Sequence, residues 1–386
     1  MINELKVDFK NVYKKDGDRA FFSPGRVNLI GEHTDYNGGN VFPCALDMGT
    51  YAIVSKREDK LVRCYSNNFK ELGVIEFSLE ELVYIKEDDW ANYPKGVIKT
   101  FMDAGYKFEN GFDILFYGNI PNGSGLSSSA SIELATAIVL KNLFNLDVDM
   151  VTMVKLSQKA ENKFIGVNCG IMDQFAIGMG KKNCAILLDT KNIVHEYVPL
   201  DLKDSVIVIA NTNKRRGLAD SKYNERRLEC DTALGELKKV VDINELCDLS
   251  SEDFEKYSST IQSDINRKRA KHAIYENERT KKAVVELQKG DLEAFGKLMN
   301  ESHISLRDDY EVTGIELDTL VELAWNEEGV IGSRMTGAGF GGCTVSIVKE
   351  ENVKDFIKNI GASYKEAIGY EPSFYIGRVG DGTREL

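Results

Sequence analysis

Between residues 112 and 117 apolar and polar positions alternate, with Phe112, Ile114 and Phe116 on one face. A period of two predicts a strand. From Ile132 to Phe144 the chain is almost continuously apolar, which predicts a buried helix. Helices are also expected near 92–104 and 150–165, while strand-like runs dominate between 21 and about 190. Beyond a strand at 206–210 the pattern changes to long charged helical stretches at 217–240 and 266–300. Two strands follow, at 343–348 and 373–376, with a helix between them. The change of composition near 195–205 predicts two domains, 1–200 and 201–386, each a layer of helices and strands. The expected fold class is therefore α+β.

The strand at 112–117 and the apolar helix are joined by Pro121-Asn-Gly-Ser-Gly-Leu-Ser-Ser-Ser-Ala-Ser131. Gly123 and Gly125 allow the backbone to turn sharply and to approach a ligand. Ser127, Ser128 and Ser129 bring hydroxyls to the first helical turn, where unpaired N–H groups and the helix dipole favour an anion. The stretch reads as a phosphate cradle. A flexible Gly/Ser linker is the plain alternative, but linkers do not usually run into a buried apolar helix. No Gly-Lys-Ser/Thr closes the loop, so it is not a Walker A motif, and a nucleotide held here needs a metal and side chains from elsewhere.

Charge narrows the partners. Across 386 residues, 49 Lys and Arg stand against 61 Asp and Glu, a net charge of −12. That argues against nucleic acid or an anionic membrane as a main partner, though a site can be locally positive. The seven cysteines are scattered and form no Cys-x-x-Cys pair, so neither a disulfide framework nor a zinc site is indicated. The N-terminus is too polar for a signal peptide, and no apolar run is long enough to span a bilayer. A cytoplasmic protein is expected. Its oligomeric state is open, with a monomer favoured.

The segment 23–39 is dense in polar groups: Glu32, His33, Asp35 and Tyr36 fall within five residues. Carboxylates accept from several hydroxyls at once, so such a cluster suits a polyhydroxylated ligand. Asp35 before Asn37 and Gly38 is also compatible with a plain turn, and a lone His33 is more often structural than catalytic. Further along, Glu161 is seven residues after Val154, three before Phe164 and four before Ile165. A helix there turns its carboxylate to the apolar face, where it needs a partner or a cation. Asp173 reads from spacing alone as an ordinary helix-start aspartate.

Gly25-Arg-Val-Asn-Leu-Ile-Gly-Glu-His-Thr-Asp-Tyr36 resembles the hallmark of the galactokinases. These belong to the superfamily of galacto-, homoserine, mevalonate and phosphomevalonate kinases. The stretch 121–131 resembles the superfamily's phosphate loop, and Met335-Thr-Gly-Ala-Gly-Phe-Gly-Gly-Cys343 its third motif. Trp90-Ala-Asn-Tyr-Pro-Lys-Gly-Val97 and Cys169-Gly-Ile-Met-Asp-Gln174 are galactokinase-like as well. The third motif contains a formal G-x-G-x-x-G but leads into a strand, so a dinucleotide fingerprint is a weak reading of it.

The resemblance implies a ribosomal-protein-like N-terminal unit, a ferredoxin-like C-terminal unit and an active site in the cleft between them. It implies transfer of the γ-phosphoryl group of ATP to the anomeric hydroxyl of α-D-galactose, with Mg²⁺ required. A kinase for a related sugar such as N-acetylgalactosamine is the near alternative. A non-catalytic sugar- and ATP-binding regulator is another, disfavoured by the intact serine loop. Asp173 and Arg26 become the catalytic pair. Asp173 orients the hydroxyl and takes its proton late, as a loose transition state allows, and Arg26 stabilises charge on the phosphoryl group. Glu32, His33, Thr34, Asp35, Gly170 and Tyr223 are implied to hold the sugar. Gly123, Ser124, Gly125, Leu126, Ser127, Ser128 and Ser129 are implied to hold the phosphates, with Ser66 near the nucleotide. Ser129 and Glu161 are the implied Mg²⁺ ligands.

Overall fold

The structure is a computed structural model that describes residues 1–120, 125–214 and 219–386, with backbone only at 219–221. Helix α1 (Ile2–Tyr13) precedes strands β1 (Arg19–Asn28), β2 (Asn40–Val41), β3 (Pro43–Lys56), β4 (Leu61–Ser66) and β5 (Ile75–Ser78). Then come α2 (Asn92–Asp103), β6 (Phe112–Gly118), α3 (Ser128–Leu143), α4 (Met150–Ala160), α5 (Met172–Met179), β7 (Cys184–Asp189) and β8 (Val194–Pro199). Strands β13 (Arg384–Glu385), β1, β3, β6, β4 and β5 form one six-stranded sheet in that order, with β4 and β6 parallel.

The period-two pattern explains the layers. Ile114 and Phe116 of β6 face α2, α3, α4 and α5, while Leu115 between them faces Leu5 and Phe9 of α1. Helix α3 is buried almost all round because it lies between that sheet and its helical neighbours. Strands β2, β7 and β8 make a small second sheet.

The second half holds β9 (Ser205–Asn211), α6 (Ala219–Leu237), α7 (Ser251–Tyr257), α8 (Asp264–Gln288) and α9 (Leu292–Asp308). It continues with α10 (Gly314–Trp325), β10 (Val330–Thr336), β11 (Cys343–Lys349), α11 (Val353–Ile368) and β12 (Ser373–Gly377). Its antiparallel sheet runs β10-β11-β9-β12. One face carries α10 and α11 through Leu320, Phe356 and Ile360. The other face, with Ile207, Ile209 and Val345, joins a core that also takes in Val27, Phe42 and Leu46 of the first half and Phe295 of α9. Hydrophobic packing is therefore continuous between the two large sheets.

Two helical expectations need correction. The stretch 266–300 is two helices, because Gly290 turns left-handed at φ +77° and the Asp291 carboxylate caps the next helix by accepting from the Ala294 N–H (2.9 Å). The stretch 150–165 is α-helical only to Ala160 and closes with a π turn, Glu161–Ile165. The third glycine motif joins β10 to β11 in a hairpin and opens no helix.

Candidate active site

The site starts from Arg26, the only guanidinium in the first motif, on strand β1. Its Nε and Nη2 both donate to Asp173 Oδ1 (2.8 and 2.7 Å), and its Nη1 donates to the Gly125 carbonyl (2.6 Å). The other Asp173 oxygen accepts from the Ser127 hydroxyl (2.6 Å). Asp173 sits in the first turn of α5, and Ser127 caps α3 in the left-handed conformation at φ 61°. Three distant segments thus converge on one carboxylate. Oδ1 thus takes two donors and Oδ2 one, which leaves Oδ2 a lone pair for a further donor.

These groups line a cavity of about 280 Å³ together with Glu32, His33, Asp35, Gly125, Ser128, Ser129, Glu161, Gly170 and Tyr223. A second cavity of about 260 Å³ is lined by Ser66, Asn68, Phe69, Trp90 and Ile132 and shares Tyr93, Ser128 and Ser129 with the first. Both open over the start of α3, where backbone N–H groups lack helical partners. The Trp90 Nε1 is buried and finds no partner among the described residues.

The structure divides the expected residues. Thr34 and Leu126 line neither of these two cavities. The Thr34 hydroxyl donates to the Gly31 and Asn40 carbonyls, and Leu126 is a core residue whose carbonyl accepts from the Arg26 N–H. Gly123 and Ser124 lie outside the described residues. Everything else expected of the site is on one or the other cavity wall.

On the sugar-motif side, Glu32 Oε2 accepts from Asn28 (2.6 Å) and Arg334 (2.9 Å), and its Oε1 from the Gly337 N–H (2.6 Å). Burial pushes this carboxyl up, and the Arg334 guanidinium pulls against it. Asp35 is raised to about 6, first by burial and then by the charge of Asp173, while the Met172 N–H donates to it (3.2 Å). Gly170 presses on it so closely that a Cβ there would lie 1.9 Å from Oδ2. His33 is driven down to about 3 by burial, so it is neutral near pH 7. Its Nε2 lies 3.2 Å from the Ala338 carbonyl and must carry the proton, which leaves Nδ1 to accept from the Tyr36 hydroxyl (2.7 Å). The half-buried Tyr223 ring lies against His33 with centroids 5.6 Å apart and planes tilted by 40°.

Toward α3, burial raises Glu161 to about 7, with the Asp173 charge adding to it and hydrogen bonds from Cys169, Gln174 and Ser129 opposing it. Glu161 Oε2 accepts from Gln174 Nε2 (2.7 Å), and the same nitrogen donates to Glu133 Oε2 (3.0 Å). The remaining Glu133 oxygen is buried without a partner among the described residues. Among those residues no group of three or more His, Cys, Asp and Glu has a metal-holding arrangement. Ser129 and Glu161 offer oxygen atoms, and the Cys169 thiol beside them donates to Glu161 Oε2 (3.5 Å). The Ser129 and Glu161 oxygens fit Mg²⁺, which keeps waters and takes one or two carboxylates along with substrate phosphates.

Glu133, Gln174, Arg334, Tyr93 and Trp90 had no role from the sequence reading. For Glu133 a signal exists: it is the lone charge in the run 130–140, where the same argument that singled out Glu161 applies. Arg334 has none, because its value comes from a partner some 300 positions away in the chain.

The chain matches three family profiles: the galactokinase galactose-binding signature over residues 8–56, the GHMP kinases N terminal domain over 92–181 and the GHMP kinases C terminal over 283–366. It is 66% identical to a galactokinase of Clostridium beijerinckii, covering 100% of this chain and 99% of that one. A Bacillus subtilis galactokinase is 59% identical, again over 100% and 99%. The crystal structure of Lactococcus lactis galactokinase complexed with galactose superposes with a TM-score of 0.98 at 50% identity, over all of both chains. A Methanococcus jannaschii mevalonate kinase, at 21% identity, TM-score 0.65 and coverage of 95% and 99%, shares the fold.

Proposed function

The chain belongs to the galactokinase family and is an ATP-dependent sugar kinase, and from this premise we propose how its two cavities divide the reaction. The reaction is transfer of the γ-phosphoryl group of ATP to the anomeric hydroxyl of α-D-galactose, giving galactose 1-phosphate and ADP. Galactose occupies the cavity of Glu32, His33, Asp35, Gly170 and Tyr223. The nucleoside occupies the cavity of Ser66, Phe69, Trp90 and Tyr93, where the unpartnered Trp90 Nε1 offers a donor. The phosphates lie over the first turn of α3, between the two.

The observation that carries this reading is the double grip on Asp173 by Arg26 and Ser127 on the wall of the first cavity, next in the chain to Ser128 and Ser129, which both cavities share. Asp173 accepts the anomeric proton on a free lone pair as the oxygen attacks phosphorus and the bond to the bridging oxygen of ADP breaks. Arg26 keeps that carboxylate aimed and faces the developing phosphoryl charge. Ser129 and Glu161 would hold Mg²⁺, which when bound offsets the charge on the phosphate oxygens. Neutral His33 presents a fixed ring to the sugar, because both of its nitrogens already have protein partners.

We assign the activity to the cytoplasm and to a monomer. Supporting a reducing compartment, Cys44, Cys64, Cys169, Cys184, Cys230 and Cys247 are free thiols. The deciding experiment is ADP release over a sugar panel, with and without Mg²⁺. Turnover on galactose that stops when Mg²⁺ is chelated is expected. Preference for N-acetylgalactosamine, or turnover in excess chelator, overturns the corresponding part.

A further inference from the structure

Glu133 lies one helical turn beyond Ser129 on α3 and is fully buried. A carboxyl there is costly unless it serves something. Among the described residues its one side-chain hydrogen bond comes from the amide of Gln174, the residue next to Asp173 on α5. That amide nitrogen also donates to Glu161. Two acceptors on one NH₂ fix which way the amide faces, since the flipped form would set its oxygen against both carboxylates. The Gln174 oxygen is itself buried without a partner among the described residues, as is the second Glu133 oxygen. Packing alone does not account for two orphaned acceptors. An apolar side chain in place of Glu133 would leave one fewer.

We propose that Glu133 is a positioning residue: acting through the Gln174 amide, it turns the Glu161 carboxylate toward Ser129 and the nucleotide phosphates. This rests on the reading that Ser129 and Glu161 hold Mg²⁺. The group spans the three segments that build the phosphate side: the start of α3, the π turn at Glu161–Ile165 and the start of α5. Glu161 Oε2 accepts from the Gln174 amide (2.7 Å) and from the Cys169 thiol (3.5 Å), so a shift of Gln174 would remove the shorter hold and let Glu161 rotate away from Ser129. Ligand orientation by a hydrogen-bonded outer residue is a recurring requirement of metal sites.

The test is Mn²⁺ binding to the full-length protein with ADP, followed by electron paramagnetic resonance so that no turnover is needed. Galactose affinity and melting temperature are measured in parallel. Glu133→Met is expected to weaken Mn²⁺ binding about 10- to 100-fold, to leave galactose affinity unchanged and to melt no lower than wild type. Glu133→Gln, which keeps an acceptor toward Gln174, is expected to restore Mn²⁺ binding. Gln174→Met, which removes the shared donor, should reproduce the Glu133→Met loss and replaces it if that variant does not fold. Glu161→Gln is the reference. If it weakens Mn²⁺ binding while Glu133→Met and Gln174→Met bind as wild type, the positioning role is overturned and the Mg²⁺ reading stands. If Glu161→Gln itself binds Mn²⁺ normally, both fall. Equal losses of Mn²⁺ and galactose affinity in Glu133→Met mark a general structural role and also overturn the proposal.

Discussion

Asp173 has its two oxygens held by different segments, which makes its charge rather than its shape the thing to remove. Asp173→Asn is expected to lower turnover about 10²- to 10⁴-fold while galactose affinity, measured by calorimetric titration, stays near wild type. Wild-type turnover in the folded variant would take Asp173 out of the mechanism. Asp35 ties stability to pH. Its folded value, about 6, lies above the ordinary 3.8, so its contribution is fully present below 3.8 and is lost as pH rises through 6. The ligand-free melting temperature should therefore climb as pH is lowered through 6, while galactose affinity falls as the acceptor charge is lost. Glu161, raised to about 7, adds the same sign at higher pH. The opposite sign comes from Glu276, where burial, which raises the carboxyl, is outweighed by Arg279, Arg334, His272 and the Ser302 hydroxyl together to reach about 2, so that loss arrives only in strong acid. Asp35→Asn should flatten the slope around pH 6, and an unchanged slope would refute the assignment. At this scale the sequence says much about which residue types are present and less about what they touch. Thr34 sits in the sugar motif yet uses its hydroxyl to close a turn.

Periodicity finds elements where burial is one-sided and loses them where a local device intervenes. The strand at 112–117 and the helix after it were readable from apolar spacing alone. The break at Gly290 was hidden because charged residues continue across it with no change in pattern. The π turn, which begins at Glu161, is invisible to a 3.6-residue template. Deleting Asn162 should restore ordinary helical winding and swing the carboxylate away from Ser129. The expected result is a folded protein, by circular dichroism, with weak Mn²⁺ binding. Normal Mn²⁺ binding after the deletion would show that the extra residue is incidental.

Across the whole molecule, Arg334 on β10 is fully buried and binds Glu32 in the sugar motif, with Glu276 of α8 close by. Arg334→Met leaves Glu32 without its counter-charge and should cost about 3–5 kcal/mol of unfolding free energy, read by denaturant titration. A loss within experimental error would mean that Asn28 and Gly337 suffice to hold Glu32. No sequence window could reveal this tie, since it joins the two halves of the chain. The same is true of the apolar packing that runs from Val27 and Phe42 through to Ile207 and Val345. That seam leaves the two sheets no hinge to swing on. Admission of galactose and ATP must then be a matter of local loop motion rather than a jaw that opens and shuts, and small-angle scattering should give one radius of gyration with and without both substrates. A clear contraction on saturation would mean that the seam parts during every catalytic cycle.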